Sequence, residues 1–231
     1  MNPKRFPSAK VHKDGVLKTT DTLSIFHTEA QKADAAAFMQ LLQHLRGFDE
    51  EYSTVIMVQV ENEVGLLGDS RDRGSAASQK YAAPVPRELT SFLSNRWHRL
   101  HPDLKKHLDL FQYRSSKSES DLDGSWDEIF GKSLYTDELF MAYHYALCLN
   151  QVAEAGRKEY PIPLYTNVWM NNLSEDSDHN FPAVVGGGGE PGDYPSGGGV
   201  PNVLDVWQNF APALDLIAPD IYLTELLHLV L

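Results

Sequence analysis

The chain has 231 residues, 42% of them hydrophobic, enough for one sizeable core, so one large domain or part of one is expected. Lys and Arg number 20 against 32 Asp and Glu, and the formal net charge of -12 repels phosphate backbones and anionic lipid, so neither nucleic acid nor a membrane surface is an expected partner. The single cysteine, Cys148, excludes an internal disulfide framework and reads as a buried thiol in an apolar helical stretch.

The first thirty or so residues read as extended and irregular, with Pro3, Pro7 and a turn at Asp14-Gly15, and without a convincing strand. They hold no apolar core of the kind a secretory signal needs. No apolar run of about 18 residues follows, so a cytoplasmic location is the default expectation. Thr28 and Gln31 have capping-box spacing, and Phe38, Leu41, Leu42 and Leu45 recur at helical intervals up to Gly47. The next segment, "STVIMVQVENE", is nearly continuously apolar and fits a parallel strand covered on both faces. Residues 66–135 contain the charged loop "GDSRDRGS", a helix predicted from Pro86 to Leu100 and an acidic stretch, and read as a helical and loop insertion. A longer helix is predicted from about Thr136 to Gly156, with Asp137 and Glu138 in its first turn. "YPIPLYTNVWM" is the second strand, residues 182–201 form a Gly- and Pro-rich loop, "NVLDVWQNFAP" is a short helix, and "LDLIAPDIYL" is the third strand.

This alternation is the grammar of a parallel α/β protein. Side by side, the three strands bring "ENE", "TNVW" and "PDIY" to one rim, the carboxyl end of the sheet, where such folds place their sites. Two familiar signatures fail. "GKS" at Gly131–Ser133 has Trp126 where a phosphate loop needs glycine. Ser196, in "YPSGG", lacks the first glycine of a hydrolase elbow and reads as structural. His98, His101 and His107 read as a solvated helix face, and Tyr143 and Tyr145 as packing residues.

The transition from a buried strand into Glu61-Asn62-Glu63 remains. Its plain explanation is a solvated turn; the sharper one is a carboxylic acid at a sugar site. Glycoside hydrolysis needs an acid that protonates the leaving oxygen and a second carboxylate, about 5–5.5 Å from it where configuration is retained. A rim glutamate can be desolvated enough to hold its proton, and an adjacent amide can hold a sugar hydroxyl. Trp169 and Tyr222 offer faces for a sugar ring, with core packing as the alternative for each.

"VIMVQVENEVG", "LLGDSRDR", "PLYTNVWM", "PGDYPSGG" and "LDLIAPDIY", in that order, resemble the β-galactosidases of glycoside hydrolase family 35, in particular the branch related to the family 42 type. The resemblance runs from about Arg5 to Tyr222. It implies a retaining (β/α)8 barrel, of which this single incomplete domain would hold the fourth to sixth strands. Glu63 would be the general acid/base, Asn62 a contact to the sugar hydroxyl beside the anomeric carbon, and Glu61 a supporting residue. Asn167, Trp169 and Tyr222 would lie near the sugar. The implied ligand is a β-galactoside or related saccharide, and the chemistry requires neither metal nor organic cofactor. The family's nucleophilic glutamate ends the seventh strand, which the chain is expected not to reach. Glu225 is the one acid after the third strand here, in "TELLHLVL", and the pattern does not make it the nucleophile. The alternatives are a noncatalytic carbohydrate-binding module and an unrelated α/β protein. Oligomeric state is left open.

Overall fold

A computed structural model describes residues 4–171 and 188–220. The chain opens with an antiparallel hairpin, β1 (Ser8–Lys13) and β2 (Val16–Leu23). The expected turn forms at Asp14-Gly15, where both residues have positive φ, 56° and 73°, as a two-residue hairpin loop of the I′ kind requires. The strands themselves were not expected, because little of the hairpin is apolar and only Ala9 and Val11 are buried in it. Distant carboxylates hold it instead. Asp72 accepts from Lys10 N at 2.9 Å, Asp69 accepts from His12 N at 2.8 Å, and Arg73 N donates to Lys10 O at 2.7 Å.

Helix α1 (Thr28–Asp49) follows and buries Ala35, Phe38 and Leu42, the 3–4 spacing of one helical face. The capping box does not form: His27 occupies the cap position, and the Gln31 amide donates to Ile25 O. Strand β3 is only Val58–Gln59. It is an edge strand, paired to one neighbour, and Ile56 just before it is 72% exposed, so the expected double-sided burial is not met.

The stretch after β3 supplies helices α2 (Ser75–Ala82), α3 (Arg87–Arg96), α4 (Pro102–Lys105), α5 (Asp109–Ser115) and α6 (Trp126–Phe130). Ser125 and Glu128 cap α6 with a reciprocal capping box. The charged loop before α2 is largely an internal lattice. Arg73 meets Asp69 at 2.6 Å and Asp137 at 2.8 Å, and Arg71 meets Asp137 at 3.0 Å, all with little side-chain exposure.

Helix α7 (Leu134–Glu159) is the axis of the core, burying residues on most of its sides. Trp126 packs edge-on to Phe140 at 5.1 Å and Tyr81 edge-on to Phe140 at 5.2 Å. Gly156 does not stop this helix; α1 crosses there, and a Cβ would fall 2.4 Å from the Phe38 ring. Tyr143, Tyr145 and Cys148 are buried, and burial pushes the Cys148 thiol up to about 12. No described helix is long and apolar enough to cross a membrane.

Strand β4 (Leu164–Val168), the short helix Leu204–Phe210 and β5 (Leu216–Pro219) complete the described chain. The order β3-β4-β5 is parallel throughout, with Val58 opposite Leu164 and Thr166 opposite Ile217. The molecule is therefore a mixed α/β structure with a small, open parallel sheet whose strands adjoin in chain order.

Candidate active site

The carboxyl ends of β3, β4 and β5 do meet at one rim, and Asn167 joins them. Its Oδ1 accepts from Gln59 Nε2 and from Glu63 N, both at 2.9 Å. Its Nδ2 donates to Asp220 Oδ2 at 2.7 Å and to Asn62 Oδ1 at 3.3 Å. Both amide protons and both lone pairs of Asn167 are thus engaged by protein partners. The residue is 8% exposed and sits behind the rim, supporting the residues in front of it.

Glu61 and Glu63 have φ of 58° and 46°, left-handed values that non-glycine residues seldom adopt. Immediately downstream, Leu66 pairs with Ser196 through hydrogen bonds of 2.9 and 3.0 Å, and Ser196 Oγ donates to Ser70 O, a structural role. The approach is tight: a Cβ on Gly65 would lie 2.4 Å from Pro195. These contacts anchor the turn that carries Glu63.

In front of the rim lies a cleft of about 630 Å³, lined by Glu61, Asn62, Glu63, Leu67 and Trp169 from the sheet side and by Asp34 from α1. Its size suits a small ligand. Trp169, half-buried, presents its ring to the space that Glu63 borders. Tyr222 and Glu225 lie outside the described residues.

Two carboxyl contacts define the electrostatics. Glu61 is open to the cleft, yet the surrounding wall strips its water and Asp34 hydrogen-bonds it; together they push it up to about 7. Asp220 is raised above the usual carboxylate range, first by burial and then by a hydrogen bond with Glu63, while the Asn167 amide opposes the shift. Each contact is a pair of acids that can hold one proton between them. Among the described residues no group of three or more His, Cys, Asp and Glu is placed to hold a metal ion.

The structure thus brings Asn62, Glu63 and Trp169 to one cleft, with Asn167 behind them. Sequence reasoning missed Asp220, Asp34 and Gln59. Asp220 was within reach, because "APD" ends β5 as "VEN" ends β3, an acid after apolar strand residues. Asp34 carries no such signal, for nothing local marks which face of α1 meets the rim. Searches against protein-family models and against curated proteins return no match for this chain.

Proposed function

We propose that the chain is a glycosidase of the retaining β-galactosidase type, and that its three strands are the fourth to sixth of a (β/α)8 barrel. The observation that carries this reading is Glu63, set on a strained turn at the carboxyl end of a parallel sheet and bordering a cleft with Asn62 and Trp169. Parallel strands that adjoin in chain order, joined by helical crossovers, support the barrel reading. In the reaction Glu63 gives its proton to the glycosidic oxygen as the C–O bond breaks, Asn62 holds the neighbouring sugar hydroxyl, and Trp169 packs on the ring. The ligand is a terminal β-galactoside, chosen over other sugars by family resemblance. Asp220 is not the second carboxylate of a retaining pair, because carboxyls in hydrogen-bond contact leave no room for an anomeric carbon between them.

That same contact favours a second reading, a noncatalytic carbohydrate-binding module in which Glu63 is committed to Asp220. Hydrolysis of a chromogenic β-galactoside by the purified chain and by Glu63→Gln, with galactose binding measured by calorimetry on both, separates the two. Turnover that falls about 100-fold or more in Glu63→Gln supports the glycosidase. Saturable binding without turnover, retained in Glu63→Gln, supports the module. Absence of both in folded protein removes the sugar site altogether.

A further inference from the structure

Of the groups at the rim, Asp220 has no part in the reaction as described, yet it occupies the end of β5 and touches the acid itself. It is fixed from two directions: its backbone N donates to Val168 O at 2.9 Å, and its Oδ2 accepts from Asn167 Nδ2 at 2.7 Å. Asn167 at the same time receives the backbone N–H of Glu63 on its Oδ1. One amide therefore sets both the main chain of Glu63 and the side chain of Asp220. The two carboxyls it brings together are hydrogen-bonded to each other, which requires a proton on one of them.

We propose that Asp220 is the positioning residue of Glu63, the two carboxyls sharing one proton at the rim so that the pair carries a single negative charge and the Glu63 side chain is held toward the cleft. The inference rests on the glycosidase reading for its purpose and on geometry for its substance. Without the proton two carboxylates in contact repel, and Glu63 would swing away; with it the repulsion becomes a directional bond. Burial and the Glu63 contact both favour protonation of Asp220. Among the described residues, Glu63 is the ionisable side chain that acts on Asp220; its other side-chain partner is the neutral Asn167 amide. Glu61, two residues along, is turned to Asp34 of α1 instead. In the reaction the shared proton passes to the leaving oxygen as the glycosidic C–O bond breaks and its electron pair goes to that oxygen. The two carboxylates left in contact regain a proton from the water whose hydroxyl completes the hydrolysis.

The test is a pH titration of side-chain carboxyl signals by carbon-13 NMR on the sugar-free chain, in the wild type, Asp220→Asn and Asp220→Ala. In the wild type the Glu63 and Asp220 signals should both report the same two steps, separated by more than about one pH unit. In Asp220→Asn, which keeps a donor toward Glu63 but cannot share a proton, Glu63 should titrate in one step. The reciprocal variant Glu63→Gln should reduce Asp220 to one step and covers the case in which Asp220→Ala fails to fold. A Glu63 curve unchanged between wild type and Asp220→Asn overturns the proposal. Since no sugar is present, a two-step titration stands even where β-galactosides are not hydrolysed, and hydrolysis with an unaltered Glu63 titration would sink this inference while leaving the glycosidase reading intact.

Discussion

The carboxyl of Glu138 should make the stability of this protein fall as pH rises from acid to neutral. Glu138 lies on α7 with 0% exposure, where its Oε1 accepts from Tyr194 OH at 2.8 Å and its Oε2 from Asn202 Nδ2 at 3.3 Å. Those donors favour the ionised form, but burial outweighs them and pushes the group from 4.5 up to about 7. Between these values the folded chain binds more protons than the unfolded one, so unfolding becomes easier with each increment of pH. The contribution is fully present below about pH 4.5 and is lost by about pH 7 to 8, a span worth roughly 3 kcal/mol. Other acids titrate in the same range, so the informative quantity is the difference between the wild type and Glu138→Gln. The variant keeps an acceptor for Tyr194, and the buried Asn202 Oδ1, which lacks a partner, gives the new amide somewhere to donate. Urea unfolding of both proteins at half-unit steps from pH 4.5 to 8 should show the wild type losing about 3 kcal/mol relative to Glu138→Gln. A difference that stays flat across that range would mean the carboxylate is accommodated by its three donors, and the desolvation argument would fail.

Gly156→Ala should destabilise the protein by about 1–2 kcal/mol, since the added methyl meets Phe38 at 2.4 Å and Leu42 at 3.0 Å, and this overpacking outweighs the better helix propensity of alanine. Adding Phe38→Leu should recover part of the loss in urea unfolding; a more stable single variant would show that α1 moves aside freely. Asp137→Ala should cost roughly 3–5 kcal/mol, because it strands Arg71 and Arg73 with little water to replace the lost partner. Hydrogen exchange should then report faster opening of the β1–β2 hairpin, which the same loop tethers through Asp69 and Asp72; unchanged hairpin protection would contradict that coupling.

The parts of the fold that were legible are those whose signal is local. Helices α1 and α7 announce themselves by apolar spacing, and β4 by the run from Leu164 to Val168. The hairpin was not legible because its partners Asp69 and Asp72 lie 57 to 62 residues away, and its own residues are mostly polar. Strand β3 was overread for the opposite reason: Val55 to Met57 look buried in sequence, but an edge strand has one neighbour and no described cover for Ile56. Gly156 shows the same limit, since a glycine at a helix crossing and a glycine at a helix end are identical in sequence. At the site the type of residue was legible and its depth was not. Asn167 was expected beside a sugar and is found behind the residues that would touch one, a distinction that depends on four partners from three strands.

The backbone at the rim bears on the choice between a functional site and a solvated turn. Left-handed φ costs a non-glycine residue about 1–2 kcal/mol, and asparagine, glycine and aspartate bear it best. In Glu61-Asn62-Glu63 the positive φ values fall on the two glutamates and not on the asparagine between them. A turn shaped for folding alone would place the residues the other way round, with Asn or Gly at the strained positions and the acids where they cost nothing. The strain is borne by structure on both sides: Asn167 holds the Glu63 N–H, and Gly65 allows the approach to Pro195 that locks the exit. In return each glutamate is delivered to a carboxyl partner at the cleft, Glu61 to Asp34 and Glu63 to Asp220. Strain kept in place by its surroundings and spent on aiming ionisable groups into a cavity argues for chemistry at that cavity.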